Sequence, residues 1–282
     1  MKTSNAIDLF LNFHAITVAE ETSSWYRRYL KPLRDELGEY PIAKITFLNV
    51  QDLFKKLSER GYSKYTLANY LRVWKRFFRY AVEENLTKNN PMKKFPRLRI
   101  PPKTPAAISQ SDINRLLEAS KQSKNPQRDY ALIRFLVDTG ARVGGIAGLQ
   151  IEDIDLNKRR AVVREKGRGG KKERLVFFST ETAQAIREWV KSRSATDDKR
   201  VFLLKETGIS QVLKRLALKE GIDRWNPHSF RHAFARRMLE KGMSIGIVSH
   251  LMGHSSVQVT IDFYGRFSND ELQSIYDEYS KK

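Results

Sequence analysis

The chain has 282 residues, with 52 lysines and arginines against 32 aspartates and glutamates, and its formal net charge is +20 at pH 7. A basic excess of this size favours a polyanionic partner, nucleic acid first. The sequence has no cysteine, which excludes disulfides, thiolate catalysis and cysteine-based zinc sites. No apolar run reaches the ~18 residues of a membrane span and no signal peptide begins the chain, so we expect a soluble, cytoplasmic protein. The length suffices for two domains with separate cores.

Four helices are predicted in the first third of the chain. Apolar residues recur at helical spacing in 6–13, 23–37, 50–57 and 66–82. Pro32 is expected to disturb the second helix, and Asn49 is expected to cap the third. The polar face of the fourth helix carries the basic residues Arg72, Lys75, Arg76 and Arg79. A face of this kind is either simply solvated or follows the phosphates of a duplex.

The stretch 89–103 combines several prolines with basic residues and contains no acidic residue. Proline cannot continue a helix, so this composition predicts a semi-extended linker between two domains. The positive charge of the stretch suits it to lie along a duplex. Its candidates for DNA contact are Lys93, Lys94, Arg97 and Arg99.

Beyond this stretch, Ser109 is predicted to cap a helix, and the apolar run 128–139 predicts a buried helix. This run leads into TGARVGGIAGL, which places Arg142 directly after a glycine turn. An arginine there is poorly placed for mere solvation, although an ion pair at a helix cap would also explain it. The runs 160–164 and 174–178 flank a basic, glycine-rich turn and predict a β-hairpin. Further amphipathic helices are predicted over 182–191, 209–217 and 269–279.

Residues 225–266 hold four of the five histidines of the chain. The apolar pattern there predicts three short helices separated by glycines, with His228 and Arg231 one turn apart on the same face. Such a unit would bring Arg231, His254 and Tyr264 to one place. Arginine and histidinium bind phosphate oxygens, and a tyrosine hydroxyl is a competent nucleophile in a positive site. The pattern therefore predicts attack by Tyr264 on a phosphodiester.

These residues resemble the conserved boxes of the tyrosine recombinases, also called phage-type integrases. HSFRHAFA resembles their HxxR box, and LMGHSSVQVTIDFY resembles their LGHxxxxxTxxxY box. TGARVGGIAGL resembles TGLRxSExxxL, and the hairpin resembles GKGxKxR at Lys166-Gly167 and at 172–174. Within this family the chain resembles the Xer recombinases, with the archaeal Xer type as one candidate subgroup. The resemblance covers nearly the whole chain.

The chain departs from the family at Gly145, where members usually carry an acidic residue. If that acid orients catalytic groups, its role is either missing here or filled from elsewhere. Asp138 and Glu152 are nearby in sequence, but the sequence does not place them in space.

The resemblance implies a mainly α fold with a small antiparallel β-sheet (α+β), arranged as a two-domain clamp around duplex DNA. Residues 1–98 would form a helical, SAM-like core-binding domain, and 99–106 a basic, proline-rich linker. Residues 107–282 would form the catalytic domain, with a C-terminal helix exchanged between protomers. The partners implied are double-stranded DNA and further copies of the chain, as a dimer on each site and a tetramer in synapsis.

The same resemblance assigns roles to the site residues. Tyr264 would form a 3′-phosphotyrosyl link, while Arg142 and Arg231 bind the non-bridging oxygens with support from His254. His228 would act as acid and base, and Lys166 would protonate the leaving oxygen. The turn looks longer than usual, so Lys171 and Lys172 stay open as alternatives to Lys166. The hairpin candidates for DNA contact are Arg168, Lys171 and Lys172. No metal or other cofactor is implied, because the covalent link stores the bond energy.

Three other readings of the sequence belong to different classes of protein. A type IB topoisomerase uses similar residues but rotates one strand instead of exchanging strands. The pairs His228/His232 and His250/His254 have an i, i+4 spacing that can hold zinc. A non-catalytic DNA-binding regulator would also carry a basic helix. For a recombinase, the sequence leaves open whether the task is dimer resolution or the integration and excision of an element.

Overall fold

The computed structural model of the chain describes residues 1–96, 98–100, 107–167, 170–254 and 256–264. The chain divides into two compact units, Met1–Pro102 and Lys103–Lys282. The fold is mainly α-helical with one small antiparallel sheet, which confirms the predicted fold class. Within the described residues, no helix combines the length and the apolar character needed to cross a membrane.

The first unit is a helical bundle in which the other helices pack around the last helix. Its helices are α1 (Thr3–Thr17), α2 (Glu20–Leu37), α3 (Phe47–Glu59) and α4 (Lys64–Glu83), with a short 3-10 turn at Ile42–Lys44. The apolar stripe of α4 supplies the centre of the core, because Trp74, Phe77 and Phe78 are fully buried. The basic face of α4 is thereby left toward the surface, and Arg72, Arg76 and Arg79 are exposed.

Helix α2 contains Pro32 and continues past it. One local prediction in the first unit was wrong. Thr46, and not Asn49, caps α3. The Thr46 hydroxyl accepts a hydrogen bond from Asn49 N at 3.3 Å, and Thr46 N donates to Asn49 Oδ1 at 2.9 Å. Asn49 therefore completes a capping box from inside the helix, which satisfies two groups at once.

The first part of the basic, proline-rich stretch 89–103 packs on the core of the first unit. Met92 and Phe95 are buried in the core of the first unit, 1% and 8% exposed. Lys75 Nζ donates a hydrogen bond to the Phe95 carbonyl at 2.7 Å. The Phe95 ring packs against Phe47 and Phe54 of α3, with centroid distances of 5.6 and 5.4 Å. These contacts hold the stretch on the first unit despite its prolines and charge, so the residues just after Asn89 belong to that unit.

The second unit packs its helices around α6. Its helices are α5 (Gln110–Lys121), α6 (Pro126–Thr139), α7 (Val143–Ala147), α8 (Thr180–Ser192), α9 (Glu206–Lys219), α10 (Pro227–Glu240), α11 (Ile245–Met252) and α12 (Val257–Tyr264). Leu132, Phe135 and Leu136 of α6 are completely buried, as the apolar run predicted. The helix predicted over 269–279 lies outside the described residues.

A three-stranded antiparallel sheet of order β1-β2-β3 completes the second unit. Its strands are β1 (Ile154–Asp155), β2 (Arg160–Gly167) and β3 (Gly170–Phe177). The hairpin strands extend further than predicted, because Lys166 pairs with Lys171 and Gly167 with Gly170. The lysines expected in a long turn therefore lie on the strands, and the connection between the strands is short.

Candidate active site

The glycine turn after α6 sets the distance between two of the predicted arginines. Gly140 ends α6 with φ = 54°, a left-handed conformation that glycine adopts without strain. A Cβ on Gly140 would lie 2.6 Å from the Phe234 ring on α10. Only glycine lets α10 approach this closely, and the approach places Arg142, just past the turn, beside Arg231 of α10.

Arg142 is held by a carboxylate from the neighbouring sheet. Its backbone N donates to Glu165 Oε1 at 2.8 Å, and its Nη1 donates to Glu165 Oε2 at 2.5 Å. Glu165 lies on β2 and is only 4% exposed, while the Arg142 side chain is 34% exposed. The contact fixes the guanidinium but leaves part of it accessible to a ligand.

A second arginine, Arg174 on β3, shares this carboxylate. Its Nη2 donates to Glu165 Oε1 at 2.6 Å, and its Nη1 donates to the carbonyl of Leu251 on α11. Burial opposes the ionisation of Glu165, but the hydrogen bonds and charges of Arg174 and Arg142 outweigh it and lower the Glu165 pKa. One carboxylate thus faces two cations, so the cluster keeps a positive charge.

Arg231 is buried in α10, 5% exposed. Its Nη1 donates to the Gly140 carbonyl at 2.8 Å, and its Nη2 donates to the Met252 carbonyl at the end of α11. Carbonyl oxygens orient a guanidinium without neutralising its charge. Arg231 therefore adds an oriented positive charge to the cluster.

His254 follows α11 and faces these arginines. Its Nδ1 is hydrogen-bonded to the hydroxyl of Thr260, at 2.7 Å, and Thr260 is completely buried. Burial first, and then the charges of Arg231, Arg142 and Arg174, lower the pKa of His254 from 6.5 to about 4. The ring is neutral at pH 7. With Thr260 as the donor to Nδ1, the proton sits on Nε2 and can be donated to an oxyanion.

Two further histidines lie on α10. Desolvation, followed by the charges of Arg231 and Arg142, lowers the pKa of His228. Burial, followed by the charges of His228 and Arg231, lowers the pKa of His232 to about 4. The charges of Arg231 and Arg142 act on both His228 and His254, which indicates that these four predicted site residues lie near one another. Among the side chains that the structure describes, no group of three His, Asp or Glu residues is arranged to hold a metal ion.

Sequence reasoning missed Glu165 and Arg174 as parts of this site. A signal was present, because β2 alternates and Ala161, Val163 and Glu165 share its buried face. A carboxylate on a buried face requires cationic partners. Asp138, which was considered nearby, instead accepts hydrogen bonds from Ser179 and Thr182 and holds α8.

Several predicted site residues are not placed by the structure. The backbone of Tyr264 ends α12 and that of Lys166 lies near the end of β2. The side chains of Tyr264, Lys166 and Lys171 lie outside the described part of the chain, as do Arg97 and Arg168 altogether. Lys172 lies on β3 opposite Glu165 and is exposed. The catalytic roles of all these residues therefore stay predictions.

The first unit carries a separate basic surface. A groove of about 490 Å³ is lined by Trp25, Tyr26, Arg72, Lys75, Arg76, Arg79, Asn90, Met92 and Lys93. All four basic residues predicted on α4 line this groove. Arg79 forms an ion pair with Glu83, with 3.8 Å between Nε and Oε1. Lys75 donates a hydrogen bond to the Phe95 carbonyl. Lys93 is exposed in the groove, and Lys94 and Arg99 are exposed as well.

Comparison with known proteins finds one family in both units. Residues 107–270 match the phage integrase family, and residues 7–85 match the N-terminal SAM-like domain of phage integrases. The chain is 30% identical over 278 residues to tyrosine recombinase XerC of Neisseria meningitidis serogroup C, across 92% of this chain and 90% of that protein. It is 28% identical to tyrosine recombinase XerD of Staphylococcus epidermidis, across 97% of each.

A solved structure shows the same fold at lower identity. The Tn1549 transposon integrase in complex with transposon right end DNA matches with a TM-score of 0.81 at 20% identity, over 99% of this chain and all of that one. The catalytic-family match alone spans more than half of the residues. The chain therefore belongs to the phage integrase family of tyrosine recombinases.

Proposed function

We propose that the chain is a site-specific recombinase that breaks and rejoins duplex DNA through a covalent bond between Tyr264 and a DNA phosphate. The observation that carries this proposal is the group of Arg142, Arg231 and two neutral histidines in the unit whose last described helix ends at Tyr264. Fixed cations, of which Arg142 is partly exposed, suit a phosphodiester, whose negative charge grows as a nucleophile attacks.

In the proposed reaction, the Tyr264 oxygen attacks the scissile phosphorus and the bond from phosphorus to the 5′ oxygen breaks. Tyr264 becomes linked to the 3′ phosphate, and the departing strand ends in a 5′ hydroxyl. His228 accepts the tyrosine proton, and its lowered pKa keeps it neutral and able to do so at pH 7. Lys166 gives a proton to the departing oxygen.

The guanidinium groups of Arg142 and Arg231 bind the two non-bridging oxygens, and His254 Nε2 adds a hydrogen bond. The buried Arg231 is oriented by two carbonyls before any ligand arrives, so little reorganisation is needed during the reaction. Attack by the 5′ hydroxyl of a partner strand on the phosphotyrosine reverses the chemistry. One phosphodiester replaces another, so no energy-rich donor is consumed.

The groove of the first unit is the proposed contact to the DNA backbone. Arg72 and Arg76 are exposed there, and Trp25 and Tyr26 add aromatic surface among the cations. Lys75 donates to a backbone carbonyl, so we assign it mainly to holding the groove together. The two units would enclose one duplex, and two protomers per site and four in synapsis would allow strand exchange. A DNA substrate agrees with the expected cytoplasmic location.

Covalent capture tests the proposal. Wild-type protein and Tyr264→Phe are incubated with a pool of randomised duplexes that carry single nicks, which trap cleaved ends by releasing a short fragment. Denaturant-resistant complexes are isolated, their DNA is sequenced and the modified peptide is identified by mass. Wild type should yield adducts at Tyr264, and Tyr264→Phe should yield none while binding DNA nearly as well. Tyr276→Phe is the matched control and should cleave normally. Adducts that persist in Tyr264→Phe would refute the assignment.

A further inference from the structure

The contact between Gly145 and Glu165 is the starting point. Gly145 lies inside α7 and its φ is not in the left-handed region, so its conformation does not call for glycine. Glycine within a helix costs about 1 kcal/mol relative to alanine. A Cβ on Gly145 would lie 2.9 Å from Glu165 Cγ and 3.3 Å from Val163 Cβ. Gly145 is needed because the Glu165 side chain occupies the space that a residue at 145 would fill.

Glu165 uses that space to hold Arg142 at two points. One carboxylate oxygen accepts from the Arg142 backbone N and the other accepts from its guanidinium. The first contact fixes the start of α7, and the second fixes the direction of the side chain. Arg174 also donates to this carboxylate, and together with Arg142 it lowers the Glu165 pKa despite burial. Both carboxylate oxygens accept from arginines and Glu165 is only 4% exposed, so it orients Arg142 without approaching a substrate.

We propose that Glu165 is the positioning residue for Arg142, and that it supplies from β2 the carboxylate that the family pattern places on α7. The pattern TGLRxSExxxL has its acid at the position of Gly145, and GKGxKxR has a glycine at the position of Glu165. In this chain glycine is at position 145 and glutamate at position 165, the reverse of the family pattern, and the two positions are in contact. This inference rests on the proposed function, since it assigns Glu165 to the cleavage step.

An exchange of residues between the two positions tests the proposal. The variants are Glu165→Gly, Gly145→Glu and the double variant with both changes. Covalent cleavage and duplex binding are measured for each, together with thermal stability. Glu165→Gly should cleave on the order of 100-fold more slowly and bind DNA within a few-fold of wild type. Gly145→Glu should also be impaired, because two carboxylates cannot share the space.

The double variant should recover cleavage to within about tenfold of wild type, because one carboxylate again fills the space beside Arg142. A carboxylate that only stabilised the fold would change melting temperature and cleavage in parallel. If Glu165→Gly does not fold, Glu165→Gln replaces it, because only one of its two terminal atoms can accept a hydrogen bond where Arg142 now uses two carboxylate oxygens. Wild-type cleavage by Glu165→Gly, or a double variant no better than Glu165→Gly, would overturn the proposal.

A DNA-free measurement separates this proposal from the proposed function. Nitrogen-15 NMR of the Arg142 Nε–H group reports how well the side chain is ordered. The signal should broaden or shift in Glu165→Gly and return toward the wild-type position in the double variant. An unchanged Arg142 signal would overturn the positioning role even if wild type cleaved DNA. Absence of adducts with wild type would instead contradict the recombinase function.

Discussion

His254 lies among guanidinium groups, and its titration can be measured directly. Burial and the charges of Arg231, Arg142 and Arg174 lower its pKa from 6.5 to about 4. The folded protein keeps the ring neutral at pH values at which the unfolded chain protonates it. Between these two pKa values the unfolded state binds more protons. The free energy of unfolding is therefore not reduced by His254 above about pH 6.5, and it falls as the pH drops toward about 4.

The size of this effect follows from the shift. One pKa unit corresponds to about 1.36 kcal/mol, so the shift of His254 amounts to about 3 kcal/mol as an upper value for a partly buried ring. At about pH 5 the unfolded ring is mostly protonated and the folded ring mostly neutral, which gives a loss of about 2 kcal/mol relative to about pH 7.5. Glutamine keeps a polar group near Thr260 and carries no charge, so His254→Gln should remove this loss.

Two measurements check the expectation. The chain has five histidines, and their ring carbon-bound protons can be followed by NMR across the titration, with His254 assigned from the His254→Gln spectrum. Denaturant unfolding at about pH 7.5 and about pH 5 gives the free energy of unfolding of each protein. His250→Gln is the matched control, because it replaces an exposed histidine in the adjacent helix α11.

The reasoning would be refuted by a His254 resonance that titrates near 6.5, the ordinary value. Equal losses of stability at low pH in wild type and His254→Gln would refute it as well. Adding a short duplex should raise the pKa of His254, because a phosphate anion offsets the charges of the surrounding arginines. A pKa that does not move when DNA binds would place the phosphate away from His254.

Three other expectations concern cleavage and binding. Arg231→Lys keeps the charge but loses the planar fork, so single-turnover cleavage should fall on the order of 100-fold while filter binding changes little; equal losses would make Arg231 a simple phosphate anchor. Arg76→Glu should reduce the slope of log affinity against log salt by about 0.9, and Lys55→Glu, outside the groove, should not; an unchanged slope for Arg76→Glu would mean a merely solvated face. Lys166→Ala should lose cleavage that a 5′-sulfur leaving group restores, because a thiolate needs no proton. Rescue of Lys172→Ala instead would assign the acid to Lys172.

Periodicity in the sequence was sufficient for most of the fold. The apolar stripe of α4 and the apolar run of α6 predicted helices whose buried faces the structure contains, because helix formation and burial both follow local spacing. Spacing was less informative at the ends of elements. Thr46 caps α3 because its hydroxyl meets the backbone of Asn49, and either residue type is a good cap when judged alone.

The site was predictable only where residues close in sequence act together. His228 and Arg231 share a helix face, and Arg142 follows a recognisable glycine turn. The pairing of Arg142 with Glu165 joins the residue that precedes α7 to a residue on β2, and no local pattern specifies it. The burial of Phe95 was missed for a similar reason, since its ring packs against Phe47 and Phe54 of α3, which are distant in sequence, while the prolines around Phe95 predict an extended linker.

The contact between Gly145 and Glu165 has a consequence for how such sequences diverge. A lineage passing between the two arrangements by single substitutions must go through a protein with two carboxylates in one space or with none. Either intermediate is expected to recombine poorly, so each arrangement is protected from drift toward the other. A sequence search that requires an acidic residue at the alignment position of Gly145 would reject active chains like this one. A search that accepts an acid at the position of either Gly145 or Glu165 would keep them. The two positions should therefore covary, with one acid shared between them.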